Sequence, residues 1–368
     1  MLTDVFAHQR IFITGHTGFK GAWLCEWLLQ AGADIWGYSL PAPTEPALFE
    51  QLDLGRRIRH HQIGDVRDLA AVRTAVETCQ PDFVFHLAAQ SLVRVSYEQP
   101  VETYATNVLG TVHVLEALRR LKKPCAAVMV TTDKCYENFE RNEGYREEDP
   151  LGGHDPYSSS KAAAEIAIAS YRRSFFPPAR LITGDVPPVA VASARAGNVI
   201  GGGDWAQDRI VPDCMRALAR DQAIRVRNPR STRPWQHVLE PLSGYLSLAA
   251  QMRSALLDRS SSRLAELCTA FNFGPARDSN RTVREVVEEI VRNWPGDWED
   301  HSDPKAVHEA ALLHLVTDKA QRVLGWQPRW AFAETVQRTV QWYRTAADPG
   351  RLAATADFTR RQIADYSA

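Results

Sequence analysis

A tyrosine and a lysine four residues apart are the side chains in this sequence best suited to acid–base chemistry. Tyr157 and Lys161 stand at the start of a predicted helix, where a spacing of four places both on one face. An ammonium group beside a phenol favours the phenolate, so we expect the pKa of Tyr157 to fall from about 10 towards neutral pH. Such a phenolate can remove the proton of a sugar hydroxyl while the same carbon loses a hydride.

Three glycines at intervals of three residues follow the first predicted strand. Gly15, Gly18 and Gly21 lie between a strand predicted over 10–14 and a helix predicted over 22–31. Glycines at this spacing permit a tight turn and let a pyrophosphate approach the backbone. The helix N-terminus then offers amide donors and the positive end of its dipole to the phosphates. The strand–loop–helix context therefore predicts a dinucleotide site, and hydride transfer makes a nicotinamide cofactor the expected occupant.

The end of the second predicted strand bears on the choice between NAD and NADP. The carboxylate that commonly holds the adenosine ribose is missing there, because the chain reads Tyr38-Ser39-Leu40. No arginine stands there to bind a 2′-phosphate, so the sequence favours NAD as a preference only. We expect Ser39, or a neighbouring backbone group, to meet the ribose hydroxyls. After the third strand, Asp65 is a candidate partner for the adenine amino group, with a loop cap as the alternative.

The charge balance excludes two classes of partner. The 368 residues carry 43 Lys and Arg against 44 Asp and Glu, a net charge of −1. The chain therefore lacks the general attraction to polyanions that basic proteins have, and we expect neither nucleic acid nor membrane surfaces as partners. No apolar run approaches the ~18 residues of a membrane helix, and the N-terminus does not have the pattern of a secretory signal.

Six scattered cysteines indicate a reducing compartment. They form no Cys-x-x-Cys pair and do not stand at zinc-binding distance from a histidine in the sequence. We therefore expect free thiols, a cytoplasmic protein and no metal site.

Short apolar runs alternate with longer helical patterns from residue 10 onwards, which is typical of a parallel sheet covered by helices. Further strands are predicted over 34–38, 82–86, 126–131 and 189–193, and helices over 68–79, 101–121 and 157–174. Beyond about residue 198 the alternation gives way to short irregular segments rich in Arg, Pro and Trp. We predict an α/β fold, a doubly wound parallel Rossmann sheet of about seven strands with a smaller α/β substrate-binding lobe.

The same change of pattern suggests where the domains divide. We predict a Rossmann domain over 1–197, with 234–250 crossing back into it. The substrate lobe is predicted over 198–233 and 251–349, followed by a C-terminal tail over 350–368.

Four motifs together resemble the extended short-chain dehydrogenase/reductase family. They are the glycine loop Thr14–Gly21, His86-Leu-Ala-Ala-Gln90, Asn107-Val-x-Gly-Thr111 and Tyr157-x-x-x-Lys161. Longer strings are similar to the nucleotide-sugar 4,6-dehydratase branch: Thr132-Asp-Lys-Cys-Tyr-Glu-Asn138, Ala194-Arg-Ala-Gly-Asn-Val-Ile-Gly-Gly-Gly-Asp-Trp205 and Arg233-Pro-Trp-Gln-His-Val-Leu-Glu-Pro241. The resemblance covers almost the whole chain.

The resemblance implies that NAD is held along the carboxyl edge of the sheet. The implied cofactor contacts are Gly15, Thr17, Gly18, Phe19, Lys20, Gly21, Ser39, Asp65, Val66, Leu87, Ala88, Ala89, Asn107, Tyr157 and Lys161. The implied substrate contacts are Gln90, Asn198, Arg209 and Arg233. A guanidinium fork suits phosphate oxygens, so the two arginines are expected to clamp a diphosphate, with a surface ion pair as the alternative for either.

Three residues after the strand predicted over 126–131 carry the implied elimination chemistry. Thr132 would bond the sugar 4-hydroxyl beside Tyr157, and Asp133, kept protonated, would be the acid for the departing C6 hydroxyl. Lys134 would serve on the C5 side, as a base or as a charge that stabilises the enolate. Related enzymes linked to thymidine or guanosine carry Asp-Glu here, whereas Asp-Lys resembles the cytidine-linked enzymes.

The function implied is NAD-dependent dehydration of CDP-D-glucose to CDP-4-dehydro-6-deoxy-D-glucose, a hydro-lyase reaction. Its product class serves deoxysugar biosynthesis for bacterial surface polysaccharides such as the lipopolysaccharide O-antigen. A 4,6-dehydratase or 4-epimerase acting on a dTDP-, GDP- or UDP-hexose stays open, as does a redox-sensing binding protein without catalysis. The resemblance also implies a homodimer, in which the helices predicted over 101–121 and 157–174 form a four-helix bundle.

Overall fold

The predicted alternation of strands and helices is present in the computed structural model, which describes residues 2–141, 143–302, 313–347 and 352–368. The strands are β1 (Arg10–Thr14), β2 (Asp34–Ser39), β3 (His60–Ile63), β4 (Phe83–His86), β5 (Cys125–Val130), β6 (Val189–Ala196), β7 (Val199–Ile200), β8 (Ile224–Val226), β9 (Thr232–Pro234), β10 (Gln236–His237), β11 (Ala270–Phe273), β12 (Asn280–Thr282) and β13 (Trp298–Asp300).

The α-helices of the described residues follow the same alternation. They are α1 (Phe19–Gln30), α2 (Leu48–Gln51), α3 (Leu54–Arg57), α4 (Leu69–Cys79), α5 (Val93–Glu98), α6 (Pro100–Tyr104), α7 (Gly110–Leu118), α8 (Pro156–Ser174), α9 (Pro178–Leu181), α10 (Ile210–Leu218), α11 (Leu239–Leu257), α12 (Ser261–Leu267), α13 (Val283–Asn293), α14 (Asp318–Leu324), α15 (Phe332–Ala346) and α16 (Leu352–Ser367).

A central sheet of seven strands, all paired in parallel, confirms the predicted fold class. Its order is β11-β6-β5-β4-β1-β2-β3. The chain moves outward from β1 to β3 on one side and from β4 to β6 on the other, as in doubly wound nucleotide-binding sheets. The order reverses between β1 and β4, so the crevice for a ligand lies at their carboxyl ends.

Every residue of β5 and β6 is buried, which explains their near-continuous apolar sequences. One charged residue breaks the pattern, because Arg195 lies in β6 with only 4% of its surface exposed. A buried guanidinium needs a compensating charge, and its partner belongs to the site described below.

The boundary predicted for the substrate lobe is wrong at one strand. Residues 270–273, within the predicted lobe segment 251–349, form β11 and pair with β6 in the central sheet. Helix α11 packs against β5 and β6 and returns the chain to that edge. Three two-stranded sheets, β7 with β10, β8 with β13 and β9 with β12, make up the smaller part of the molecule. The remaining division into domains stays a prediction, and residues 303–312 of the predicted lobe lie outside the described residues.

The helix predicted over 101–121 is irregular and ends earlier, at Leu118. A π-helical turn over Ala105–Leu109 separates α6 from α7. Such a turn adds one residue to the helix and often lies at a functional site. Here it contains Asn107, whose buried side chain bonds to the loop after β4. The irregularity therefore has a structural cause that periodicity alone does not reveal.

Of the C-terminal tail predicted over 350–368, residues 350–351 lie outside the described residues, and Leu352–Ser367 forms helix α16, which packs against α1 and α15. Arg360 donates to the fully buried Glu26 of α1 at 3.0 Å. Tyr366 donates to the buried Glu240 of α11 at 2.5 Å. Helix α16 is therefore held against α1, the first α-helix of the chain.

All six cysteines are buried free thiols, as the sequence predicts. Burial raises the pKa of each of them. In the part of the chain that the structure describes, no helix is long and apolar enough to cross a membrane.

Candidate active site

The glycine loop that follows β1 has no room for a side chain at Gly15 or at Gly21. Gly15 has a φ of +75°, and a Cβ placed on it would lie 2.7 Å from the backbone nitrogen of Ala88. A Cβ on Gly21 would lie 2.1 Å from the carbonyl oxygen of Gly15. Both glycines are therefore required by close backbone contact. The loop forms a cradle that fits a pyrophosphate.

The start of α1 faces this cradle with its amides free of a side-chain cap. Gly18 is the N-cap residue and supplies no side chain, so the first turn retains donors for an anion. Thr17 instead turns towards β2, where its hydroxyl lies 2.8 Å from the Ser39 hydroxyl and donates to the carbonyl oxygen of Leu40 at 2.9 Å. The predicted ribose residue Ser39 is thus part of a buried hydroxyl pair. Phe19 and Lys20 begin the helix and are half-buried.

Asp65 and Val66 follow β3 at the far end of the crevice. The Asp65 carboxylate accepts from the backbone and side chain of Arg67, and these bonds lower the pKa of Asp65. Val66 is buried, and its carbonyl oxygen accepts a hydrogen bond from Nδ1 of His113 at 2.9 Å. The structure thus shows Asp65 after β3 with an existing arginine partner.

The loop after β4 is held by Asn107. Its side chain accepts from the backbone nitrogen of Gln90 at 2.9 Å, donates to the Gln90 carbonyl at 3.0 Å and donates to Ser160 of α8 at 2.9 Å. Leu87, Ala88 and Ala89 are half-buried in this loop. The Gln90 side chain bonds within the same region, to Leu92 and Thr103.

Thr132 and Asp133 lie where β5 ends. The Thr132 hydroxyl donates to the Asp133 carboxylate at 3.1 Å, and its proximity to the Tyr157 hydroxyl favours the phenolate. Asp133 is 3% exposed, and burial raises its pKa, although Lys134, Thr132 and Arg233 act in the opposite direction. A carboxyl with a raised pKa can hold the proton that a departing hydroxyl needs.

Tyr157 and Lys161 lie in the first turns of α8, which begins at Pro156. Asp155 caps this helix by accepting from the backbone nitrogen of Ser158 at 2.9 Å. Both side chains are buried, as the spacing of four residues predicts for one helix face.

The expected lowering of the Tyr157 pKa is wrong for this structure. Burial raises the pKa of Tyr157 to about 12, with the bond to Thr132 and the charge of Arg209 acting in the opposite direction. Burial likewise lowers the pKa of Lys161 to about 8, and its ammonium donates to the carbonyl oxygen of Val130 at 3.3 Å. Desolvation therefore dominates the pKa of both groups.

Further cations surround this cluster. Lys20 has its pKa lowered to about 8 by burial and by the charges of Arg209 and Lys161. Arg209 bonds to Asp204 at 2.9 Å and reaches Ser91 at 3.5 Å. Arg233 donates to the carbonyl oxygen of Thr232 at 2.9 Å and acts on Asp133. Asn198, the remaining predicted contact, is half-buried between β6 and β7, and Lys134 is half-buried after Asp133.

A buried ion pair behind the site was missed by sequence reasoning. Glu165, one turn after Lys161 on α8, accepts from Arg195 at 2.9 Å, from Ser193 at 2.8 Å and from Thr131 at 2.5 Å. Burial opposes the charge on Glu165, but Arg195 and these hydrogen bonds outweigh it and hold its pKa below the usual range. The only available signal was a charged residue inside the apolar strand β6.

Metal-binding side chains do not converge here. Among residues 2–141, 143–302, 313–347 and 352–368, the structure contains no group of three His, Cys, Asp or Glu side chains that could hold a metal ion.

Solved structures share this architecture. A dTDP-glucose 4,6-dehydratase from Bacillus anthracis, in complex with NAD, superposes with a TM-score of 0.71 at 22% identity and covers 91% of this chain and 96% of its own. The dTDP-glucose 4,6-dehydratase from Streptomyces venezuelae gives a TM-score of 0.73 at 24% identity over 91% and 97%. These likenesses define the class of the fold, which is that of the Rossmann-type α/β proteins.

Sequence comparison places the chain within that class. The profile of the GDP-mannose 4,6 dehydratase family matches residues 12–339. The CDP-glucose 4,6-dehydratase of Salmonella typhimurium is 46% identical over 97% of this chain and 96% of its own length. A dTDP-D-glucose 4,6-dehydratase of Bos taurus is 23% identical over 93% and 90%. The chain belongs to the nucleotide-sugar 4,6-dehydratase family, which confirms the predicted membership.

The ion pair behind the site leads to a stability prediction. Arg195→Met leaves the Glu165 carboxylate buried without its counter-charge, so we expect the free energy of unfolding to fall by about 3–5 kcal/mol in urea denaturation. Because Arg195 lowers the pKa of Glu165, the wild-type advantage is present above the unfolded pKa of about 4.3 and is lost as pH falls through the folded value. The difference between the two proteins should therefore shrink in acid.

A matched control is Arg292→Met, which breaks an exposed pair with Glu289. This variant should lower the free energy of unfolding by at most ~1 kcal/mol. Equal losses in both variants would contradict the role assigned to the buried pair.

Proposed function

We propose that this protein is a NAD-dependent 4,6-dehydratase of CDP-D-glucose that forms CDP-4-dehydro-6-deoxy-D-glucose. The observation that carries the proposal is the buried Asp133 carboxyl beside the Thr132–Tyr157 hydroxyl pair, with Lys134 next in the chain. Oxidation of a sugar hydroxyl needs a base, such as the tyrosine, and a hydride acceptor, such as the nicotinamide cofactor. Dehydration also needs an acid for a leaving hydroxyl and an acceptor for a carbon-bound proton. The likeness to the Salmonella enzyme supports the cytidine nucleotide.

The cradle supports NAD as the resident cofactor. Gly15 and Gly21 admit backbone contact with a pyrophosphate, and the uncapped start of α1 offers amides to it. The Thr17–Ser39 hydroxyl pair lies at the end of β2, where a ribose is held in such folds. Bound NAD would supply the hydride acceptor for oxidation at C4 and the hydride donor for reduction at C6. The solved relatives that contain NAD agree with this assignment.

Tyr157 is the proposed base for the oxidation. Its phenolate accepts the proton of the 4-hydroxyl as the hydride leaves C4, which yields the 4-keto sugar. Because burial raises the pKa of Tyr157, ionisation needs a nearby cation, and the charge of Arg209 acts in that direction. Thr132 lies near Tyr157 and is proposed to orient the same hydroxyl. Lys161 completes the proposed set as a cation one turn along α8.

Asp133 and Lys134 are proposed to carry out the elimination. The 4-keto group acidifies the C5 proton, which Lys134 accepts, while Asp133 gives its proton to the C6 hydroxyl that leaves as water. After hydride return to C6, the proton on Lys134 goes back to C5. The cycle leaves Tyr157 with one proton more and Asp133 with one fewer. Transfer of one proton from Tyr157 to Asp133, past the Thr132 hydroxyl that donates to Asp133, is proposed to restore the site.

Phosphate contacts and the remaining cofactor contacts complete the proposal. Arg209 and Arg233 are the proposed clamps of the substrate diphosphate, with Gln90 and Asn198 as further substrate contacts. Val66 and the loop residues Leu87, Ala88 and Ala89 are proposed to line the nucleoside and nicotinamide ends of the cofactor site. Asn107 contributes by holding that loop.

Incubation with CDP-, dTDP-, GDP- and UDP-hexoses, without an external reductant, tests the reaction directly. We expect CDP-glucose alone to lose the mass of one water. In Asp133→Asn, oxidation at C4 should persist without water loss. Reduced cofactor should therefore accumulate, which its fluorescence would report. Water loss only from another nucleotide sugar, or epimerisation alone, would contradict the proposal.

Solvent deuterium exchange tests the role of Lys134. Wild-type turnover in D₂O should introduce deuterium at C5, since the proton accepted there is shared with solvent. In Lys134→Met this exchange should be lost or strongly reduced, as judged by mass spectrometry of the product. Exchange that persists undiminished would exclude Lys134 as the base.

We also propose a homodimer formed through α6 to α8. Val101, Leu109 and Ile166 are exposed there, Val101 to 73%, and exposed apolar side chains on neighbouring helices are typical of an interface. Light scattering after size exclusion should give twice the mass of one chain. Ile166→Asp should shift the mass to that of a monomer, whereas Leu257→Asp, at a separate exposed position on α11, should not. A monomeric wild type would reject the dimer.

The cellular setting follows from the same proposal. Six buried thiols are compatible with a cytoplasmic enzyme. A 4-keto-6-deoxy nucleotide sugar is an intermediate for deoxysugars, including those of a lipopolysaccharide O-antigen.

A further inference from the structure

The loop from Gly201 to Arg209 ends in a charge pair that faces the catalytic cluster. Asp204 is 4% exposed, and its carboxylate accepts from the Arg209 guanidinium at 2.9 Å. The other carboxylate oxygen accepts from the backbone nitrogen of Ala206 at 3.2 Å. Arg209 itself remains partly exposed, and it is the N-cap residue of α10. The pair thus joins a buried carboxylate to an accessible guanidinium.

Two C-terminal aromatic residues support this loop from behind. Tyr343 of α15 is buried, and its hydroxyl donates to the carbonyl oxygen of Asp204 at 2.5 Å. The ring of Trp342 lies against Gly202 so closely that a Cβ there would fall 1.9 Å from the Trp342 Cγ. Trp342 in turn donates to Thr359 of α16 at 2.8 Å. The backbone that carries Asp204 is therefore fixed by helices far away in the sequence.

The guanidinium of Arg209 acts on the reacting groups. Its charge favours ionisation of Tyr157 and contributes to the lowered pKa of Lys20. A guanidinium whose charge acts on Tyr157 and on Lys20 also attracts the anionic part of a nucleotide sugar bound between them. A free arginine would have to be ordered by each substrate molecule, at a cost in affinity.

From these contacts we infer that Asp204 and Tyr343 are positioning residues, which hold Arg209 ready to bind the diphosphate of the substrate. The inference rests on the proposed function for the identity of the substrate. It assigns a role in substrate binding to α15 and α16, which contribute none of the proposed catalytic groups. The two residues act through Arg209 and touch none of the reacting atoms.

The test compares Asp204→Asn and Tyr343→Phe with wild type, by KM and kcat for CDP-glucose and by calorimetric binding of CDP. Since Arg209 keeps its own charge, we expect KM and the Kd for CDP to rise between about two-fold and ten-fold, the range for ordering one long side chain. kcat should fall by a smaller factor than KM rises, because the contact with the diphosphate is made equally in the ground and transition states and Arg209 keeps its charge near Tyr157. Tyr366→Phe, which removes a buried hydroxyl bonded to Glu240 instead, is the control and should leave all three unchanged.

A double-mutant cycle separates positioning from a general loss of structure. In an Arg209→Met background, Asp204→Asn should have no further effect on CDP binding, since its effect passes through the arginine. Additive losses, tighter CDP binding in Asp204→Asn, or a fall in kcat alone would each overturn the inference. If Asp204→Asn does not fold, Tyr343→Phe tests the same link by removing one hydroxyl.

Failure of the proposed function gives a different result. In that case the wild type would not dehydrate CDP-glucose at all, whereas calorimetry with CDP would still report whether Asp204 and Tyr343 act through Arg209.

Discussion

Burial of ionisable groups at the carboxyl edge of the sheet is the constraint on which the site depends. Removal of charge from water favours the neutral forms of Asp133, Tyr157 and Lys161, and all three pKa values move in that direction. The same burial opposes ionisation of Tyr157 during the reaction, and the nearby charge of Arg209 acts against that effect. Glu165 and Arg195 form a compensated pair directly behind the cluster, so the site has fixed charges within a largely dry interior.

The fold and the principal motifs could be predicted because their signals are local. Glycine spacing, the helix face shared by Tyr157 and Lys161, and the alternation of strands and helices are all visible within short windows, and the sheet agrees with them. The Glu165–Arg195 pair could not be predicted, because its members lie 30 residues apart and meet only through tertiary packing. The direction of the Tyr157 pKa shift failed for the same reason, since burial is a property of the folded molecule.

Helices after residue 330 connect distant parts of the chain, which sequence patterns did not reveal. Trp23 of α1 donates to the carbonyl oxygen of Gly202 at 2.9 Å, and Trp342 of α15 lies on the other side of that glycine. The β11 strand similarly returns to the edge of the sheet after a long excursion through the smaller part. Both differences from the prediction arise because elements late in the chain complete earlier ones: β11 adds to the central sheet, and α15 packs on the loop at Gly202.

The cysteines give the molecule a practical property. Each thiol is buried, and each has its pKa raised above the ordinary value, so the native protein should be chemically silent towards thiol reagents. A single cysteine introduced on the surface would then be the one reactive thiol, without removal of the natural six. Fluorophores or spin labels could be attached on either side of the cleft in an otherwise unaltered chain, and the opening of the cleft could be followed as a distance during turnover.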